Sequence, residues 1–244
     1  MTPLRIPRLG DAPDSGFPPP ESALQTPDGL LAIGGDLSST RLLDAYRHGI
    51  FPWFSEGEPP LWWCPDPRTV FRTARVARSR RFRRGLRGST WEIRADTAFD
   101  RVVDACASIP RRGQDGTWIT GGMHAAYGRL HRLGHAHSVE VFEGDALVGG
   151  LYGVAVGCMF FGESMFSARP EGSKVAIAAL AHVLHGHGWP LIDAQVENPH
   201  LMSLGAELWP RSEFLAALAT LTARRPDTDL WAFRLSARDL AASG

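Results

Sequence analysis

The sequence predicts an α/β protein, more narrowly α+β: a mixed, mostly antiparallel sheet with helices on its faces, preceded by a smaller N-terminal lobe. Three observations lead there. From His137 onward, strand-like runs give way to alternating helical and strand patterns. Apolar residues make up 44% of 244 residues, enough for a packed core. The chain before Asp66–Arg68 is instead broken by prolines and glycines, which sets a lobe of residues 1–66 apart from a domain of residues 67–244.

The elements follow in order. Pro3, Pro7, Pro13 and Pro18-Pro19-Pro20 keep residues 1–20 extended or irregular. Gly29 to Asp36 reads as a short apolar strand ending in a diglycine turn. A helix follows, capped by Ser38 or Ser39, with Leu42, Leu43 and Tyr46 on one face and Gly49 at its end. Ile50–Phe54 and Trp62–Arg68 are aromatic and carry proline. Residues 67–91 hold nine arginines (68, 72, 75, 78, 80, 81, 83, 84 and 87) and no acid. Residues 98–107 read as a helix, and 121–133 as an amphipathic helix carrying Ala125, Tyr127 and Leu130. Ser138–Phe142 alternates, Glu143-Gly144-Asp145 is a turn, and Ala146–Ala155 and Cys158–Phe161 are apolar strands about Gly157. Gly172–His185 is a helix with Val175, Ala178, Ala179, His182 and Val183 at helical spacing. Leu191–Val196 is a strand, Arg211–Thr222 a helix, and Leu230–Leu235 a last strand. The order resembles the GNAT-type acyltransferase fold from the lobe boundary onward.

Composition narrows the function. Twenty-six basic and 26 acidic residues balance, so the chain is no polyelectrolyte. Lys174 is the only lysine; the arginines offer planar forks that suit phosphate, or reflect codon usage. Cys64, Cys106 and Cys158 are too few and too scattered for a disulfide framework. The N-terminal stretch lacks a secretory pattern, and no uncharged apolar run approaches a membrane span. A cytoplasmic protein off the membrane, monomeric for want of a long exposed apolar seam, is expected. His131, His135 and His137, and the pair His185 and His187, invite a metal reading. No cysteine or HExxH pattern completes either set, so no metal and no cofactor is expected.

Glu163 and Asp193 stand at the ends of apolar strands, and Gln195 two residues after Asp193 should face the same side. An acid and an amide there can make a polar site over a buried floor. The plainer alternative is that each acid is neutralised by an arginine or a helix N-terminus. The arginine stretch, with Phe71 and Phe82 inside it and Trp62-Trp63 upstream, fits nucleic-acid backbone as well as a solvated face. Arg75, Arg78, Arg80, Arg81, Arg83, Arg84 and Arg87 are the candidates for that contact. The helix starting near Gly172 offers backbone donors to a phosphate, with Ser173 and Lys174 beside them. In Arg169-Pro170-Glu171-Gly172-Ser173-Lys174, lysine stands where a coenzyme A loop has a small residue, which weakens the reading as a coenzyme-A-dependent N-acetyltransferase. A non-catalytic tRNA-binding protein would explain the arginines but not the acid–amide pair.

GLLAIGGDLSS, GIFPWF, LWWCPDPR, GTWIT, LGHAHSVEV, LVGGLYGVAVG, FGESMFS, and LIDAQ followed by SLGA run from Gly29 to Ala206, within a match of about Phe17 to Phe233. By these words the chain resembles the leucyl/phenylalanyl-tRNA–protein transferase family. The resemblance implies transfer of Leu, Phe and, less well, Met from charged tRNA to the α-amine of proteins beginning with Arg or Lys, marking them for N-terminus-dependent degradation. It implies neither ATP nor acyl-coenzyme A. It assigns Asp193 and Gln195 to catalysis, Asp193 polarising the Gln195 amide; in a second reading Asp193 and Glu163 bind the cationic acceptor. It lines the side-chain pocket with Trp53, Leu151, Phe160, Leu180, Leu184 and Ile192. Leu180 and Leu184 stand where the family commonly has phenylalanine, and Ala194 where it often has cysteine. Tyr46 and Trp118 match positions at the tRNA 3′ adenosine and reacting centre.

Overall fold

The computed structural model describes residues 6–10, 12, 16–108, 119–226 and 229–243. The first sheet has four strands: β1 (Arg8–Leu9), β2 (Leu30–Gly34), β3 (Phe51–Pro52) and β4 (Leu61–Trp63), in the order β1-β2-β4-β3. Helix α1 (Ser39–Arg47) lies between β2 and β3, and the Ser38 hydroxyl accepts from the Arg41 amide as its cap.

The second sheet begins with β5 (Arg68–Arg72). It is followed by α2 (Arg80–Arg87), β6 (Glu92–Ala95), α3 (Phe99–Ser108), α4 (Gly121–Arg132), β7 (Ala136–Glu143), β8 (Ala146–Val156) and β9 (Met159–Ser167). Then come α5 (Gly172–Gly186), β10 (Leu191–Gln195), α6 (Pro199–Ser203), β11 (Glu207–Trp209), α7 (Arg211–Thr222), β12 (Arg234–Ser236) and α8 (Ala237–Ala242). Eight strands run in the order β11-β5-β10-β9-β8-β7-β6-β12. Among the described residues only β9 and β10 pair in parallel in this sheet, across α5; the other neighbours are antiparallel. The α+β reading therefore holds.

Two apolar clusters flank the second sheet. One joins Leu42, Tyr46, Phe51 and Trp62 of the first sheet's region to Phe99, Tyr127, Tyr152, Phe161 and Phe214. The two sheets thus share a core. The other is built from α5 packed on Leu151, Phe160 and Ile192. Gly149 and Gly172 permit that packing: a Cβ on Gly149 would stand 2.4 Å from the Gly172 carbonyl carbon.

Some elements differ from expectation. The arginine stretch contains β5 and α2, neither of which its composition predicts. Ser79 caps α2, and Phe82 and Leu86, one turn apart, are its buried residues. The last strand is Arg234–Ser236, preceded by a 3-10 turn at Leu230–Ala232 and followed by α8. On α4 the buried alanine is Ala126, while Ala125 is exposed. The three cysteines are buried, and none is in a disulfide. No helix among the described residues is long and apolar enough to cross a membrane.

Candidate active site

The site is made by two interruptions in regular pairing. Between β8 and β9, Tyr152 faces Ser164 and Gly153 faces Gly162, so Glu163 is the extra, bulged residue. Between β10 and β5, Asp193 faces Val70 and Gln195 faces Thr69, so Ala194 is the extra residue. Gln195 takes φ 62°, a left-handed conformation. Bulges re-aim side chains, and these two bring Glu163 and Gln195 together. Gly153 makes the first bulge possible, since a Cβ there would stand 2.1 Å from the Phe161 carbonyl oxygen.

The pairing of β9 with β10 ends at Phe161 and Asp193. Beyond it opens a cavity of about 820 Å³. Trp53, Phe71, Leu151, Phe160, Ile177 and Ile192 are among its apolar walls, and Glu163, Gln195, Glu197 and Asn198 among its polar ones. Its size and mixed lining suit a small organic group held in a fixed orientation.

Asp193 is fully buried, and its charge is committed to Arg68. Arg68 Nε donates to Oδ1 at 2.8 Å and Nη2 to Oδ2 at 2.6 Å. The guanidinium lies between the rings of Phe51 and Phe214, 4.9 and 4.7 Å from their centroids. Burial pulls the Arg68 pKa down, but the Asp193 charge and hydrogen bond more than offset it, and the net shift is upward. Asp193 Oδ1 also accepts from the Gln195 backbone N–H at 2.9 Å. Two expectations are thereby corrected. Asp193 holds the Gln195 backbone, not its amide, because the bulge breaks the two-residue alternation. It cannot serve as a cation site while Arg68 neutralises it; the arginine alternative describes this acid.

Glu163 is the residue that grips the Gln195 side chain: Gln195 Nε2 donates to Glu163 Oε1 at 2.9 Å. Tyr46 and Tyr127 place their hydroxyls 2.8 and 2.6 Å from Oε1 and Oε2 of the same carboxyl, and 2.8 Å from each other. Burial pushes the Glu163 pKa up to about 7, against the lowering effect of its hydrogen bonds. Burial and the neighbouring carboxyl raise both tyrosines well above their usual value. Tyr46 is thus a buried partner of Glu163 rather than a surface for an adenosine. Sequence reasoning misses Tyr127 and Arg68 as site residues. A tyrosine on the apolar face of a helix, needing a partner for its hydroxyl, is the available signal for the first.

Of the expected pocket residues, Trp53, Leu151, Phe160 and Ile192 line the cavity. Leu180 and Leu184 do not; they are fully buried in the α5 cluster behind it. Ile177, one turn closer to the start of α5, reaches the cavity instead. Trp118 falls outside the described residues. The start of α5 is not open to a phosphate as expected. Its Ser173 amide donates to the Ser167 hydroxyl at 2.8 Å, and its Gly172 amide to the Arg169 carbonyl at 3.1 Å. Lys174 pairs with Glu171 at 3.0 Å and lies over the Phe82 ring.

The arginines divide. Arg75 pairs with Glu207 at 3.5 Å, and Arg78 donates to the Ser243 carbonyl. Arg83 is half-buried on α2. Arg80, Arg81, Arg84 and Arg87 are exposed on α2, without an ion pair among the described residues. His137 is held by Asp96 at 2.6 Å and stacked on Trp231. His131 donates from Nδ1 to the Ala136 carbonyl and stacks on Phe99. Among the described residues no group of three metal-binding side chains is placed to hold an ion.

The family model described as leucyl/phenylalanyl-tRNA protein transferase matches residues 70–219, and that of its N-terminal domain matches 35–66. A leucyl/phenylalanyl-tRNA–protein transferase of Xanthomonas euvesicatoria pv. vesicatoria (strain 85-10) is 64% identical, covering 100% of this chain and 97% of that protein. One from Xanthomonas oryzae pv. oryzae (strain MAFF 311018) is 65% identical over 96% of this chain and 94% of its own length. One from Xylella fastidiosa (strain 9a5c) is 67% identical over 87% and 88%.

Proposed function

Because the chain belongs to the leucyl/phenylalanyl-tRNA–protein transferase family and is an enzyme moving aminoacyl groups from tRNA to proteins, we propose that the cavity where β9 and β10 part is where that transfer occurs. The donor side chain, Leu, Phe or Met, lies against Trp53, Leu151, Phe160, Ile177 and Ile192. The acceptor is the α-amine of a protein beginning with Arg or Lys, and the product enters N-terminus-dependent degradation in the cytoplasm. The single observation that carries this reading is the amide of Gln195, fixed by Glu163 at the polar wall of an apolar cavity.

The donor ester is already activated, so alignment is the main demand on the protein. The neutral amine forms an N–C bond to the ester carbonyl. The bond from that carbon to the tRNA 3′-oxygen breaks, and the proton lost by the amine ends on that oxygen. With its nitrogen committed to Glu163, the Gln195 amide leaves its oxygen to accept from the amine N–H and orient it. The lobe of residues 1–66 contributes Phe51, Pro52 and Trp53 to the cavity, and residues 67–244 carry the chemistry. The parallel β9–α5–β10 unit supports a GNAT-like reading of that domain.

Incubation with tRNA charged with labelled leucine and an Arg-initiated peptide tests the function. Label on the peptide N-terminus is expected; label retained on tRNA, with only binding observed, would leave a tRNA-binding protein.

Among the described residues three acids line the cavity, and two are committed. Glu197 is exposed, with no ion pair or hydrogen bond among the described residues. We assign it to the cationic acceptor. Glu197→Gln is expected to raise KM for an Arg-initiated peptide about tenfold, an energy in the range of a charged hydrogen bond, with kcat little changed. Equal KM values for the two enzymes would remove Glu197 from acceptor recognition.

The exposed face of α2 is assigned to tRNA phosphates. Changing Arg80, Arg81, Arg84 and Arg87 together to glutamine should weaken tRNA binding and flatten its logarithmic salt dependence by roughly 0.7–0.9 per phosphate no longer neutralised. An unchanged slope would place the backbone contacts elsewhere.

A further inference from the structure

Three oxygen–oxygen contacts close a ring at the centre of the site: Tyr46 with Tyr127, Tyr46 with Glu163 Oε1, and Tyr127 with Glu163 Oε2, at 2.8, 2.8 and 2.6 Å. Each contact of this length needs a hydrogen between its oxygens. Each tyrosine hydroxyl brings one hydrogen, which leaves one contact without a donor. Were Glu163 ionised, both tyrosines would donate to it, and their oxygens would face one another with no hydrogen between.

We propose that Glu163 works as a neutral carboxylic acid, closing a three-proton ring with Tyr46 and Tyr127, and that this ring is the positioning device that turns the Gln195 amide oxygen toward the acceptor amine. Gln195 selects the direction of the ring. Oε1 accepts from both Gln195 Nε2 and Tyr46, as a carbonyl oxygen does. Oε2 then carries the acid proton and donates it to Tyr127, which donates to Tyr46, which donates to Oε1. All three hydrogens are used, and no oxygen of the ring is left facing another without a hydrogen between them.

The surroundings favour the uncharged form. Glu163 is faced by Tyr46 from α1, Tyr127 from α4, and Asp193 and Gln195 from β10, with the Arg68 charge from β5 on Asp193 and Tyr152 of β8 packed on the Tyr127 ring. The one cation in this set is held bidentately by Asp193. Burial and the Asp193 charge hold the proton on Glu163 up to about pH 7. Above that, loss of the proton opens the ring and leaves Gln195 gripped by an anion whose tyrosine partners have both turned toward it.

The protonation itself is independent of the proposed function; the part played by the ring in transfer rests on it. Two measurements separate the two. In the full chain labelled at glutamate Cδ, carbon NMR through a pH titration should show a carboxyl with a midpoint near 7. The resonance should vanish in Glu163→Gln and remain in Glu140→Gln, the other buried glutamate with a raised pKa. A midpoint for Glu163 below about 5.5, in the ordinary carboxylate range, overturns the proposal whether or not the protein transfers amino acids.

The second measurement is transfer of leucine from tRNA to an Arg-initiated peptide as a function of pH. Glutamine reproduces the neutral ring: its oxygen replaces Oε1 and its NH₂ donates to Tyr127. Glu163→Gln should keep at least about a tenth of the wild-type kcat/KM, and Glu163→Ala should lose on the order of a hundredfold or more, as removal of a preorganised hydrogen-bonding group does. Wild type should also show a falling limb above about pH 7, which Glu163→Gln lacks. A folded Glu163→Gln protein as inactive as Glu163→Ala, or one with the wild-type falling limb, would show that the site needs the carboxylate and would overturn the proposal.

Discussion

Replacing Asp193 with alanine is expected to destabilise the protein by roughly 3–5 kcal/mol, the range for removing one partner of a buried ion pair, a large share of a typical total of about 5–15 kcal/mol. The reason is Arg68. Its guanidinium is 1% exposed, Asp193 is its bidentate partner, and its Nη1 has no hydrogen-bond acceptor among the described residues. Faces of Phe51 and Phe214 compensate part of its lost hydration, but Asp193 is the acid that forms an ion pair with it among the described residues. Arg68→Met should be destabilising for the converse reason. The double variant Arg68→Met, Asp193→Leu should recover most of the stability, because apolar replacement of a whole buried pair is often neutral or better. It should not recover activity, because the Gln195 backbone amide loses its acceptor. Urea denaturation of the three variants checks this. An Asp193→Ala protein with the wild-type midpoint but no turnover would mean that the acid acts on substrate and not through Arg68.

Linkage adds a stability consequence for Glu163. Its pKa is about 7 in the folded chain against an ordinary 4.5. A raised acid binds its proton more tightly when folded, so its contribution is complete below about pH 4.5. That contribution declines as pH rises through 7 and is gone above it. The pH dependence of wild-type stability relative to Glu163→Gln isolates this window.

Much of the architecture is legible because it depends on local pattern. The alternation of Ser138–Phe142, the Glu143-Gly144-Asp145 turn and the apolar run after it predict β7 and β8; the Val175, Ala178 and Ala179 spacing predicts α5. Helix α2 is hidden by charge. Five arginines obscure a two-residue apolar stripe, Phe82 and Leu86, on a helix that packs against α8. The site is legible as a set of residues but not as a wiring diagram. Asp193, Gln195 and Glu163 stand out, yet alternation only puts Asp193 and Gln195 on one face and gives Glu163 no partner, because both bulges depend on cross-strand register that sequence spacing does not encode. Tyr46 and Tyr127 lie 81 residues apart, and Tyr46 and Glu163 lie 117 apart. No local pattern reports a ring closed over such separations. Leu180 and Leu184 illustrate the same limit. Their spacing correctly makes them neighbours on one face, but depth below a cavity floor is a tertiary property.

Removing the Gln195 side chain is expected to reduce turnover by about a hundred- to a thousandfold, the effect of losing one well-placed hydrogen-bonding group at a reacting centre, while tRNA affinity stays close to that of wild type. The expectation follows from where its partners lie. The backbone of Gln195 is held by Asp193, and that bond survives in Gln195→Ala. The bulge and its φ of 62° are strained for alanine as for glutamine, so the local conformation has little reason to relax. The change is confined to the amide, whose nitrogen donates to Glu163 and whose oxygen we assign to the acceptor amine. An α-amine with a pKa of about 7.7–8.0 is mostly protonated at neutral pH, and an amide oxygen is too weak a base to correct that. Its proposed contribution is therefore to hold the neutral fraction of the amine in line with the ester carbonyl. Single-turnover transfer from preloaded charged tRNA separates this from binding. The rate should fall at saturating tRNA. Below neutrality, raising the pH should increase both enzymes' rates in parallel, as more of the amine loses its proton. Gln195→Glu should not restore turnover, since a carboxylate there offers no donor to Glu163 Oε1. Equal losses in tRNA affinity and rate would instead make Gln195 part of the binding surface.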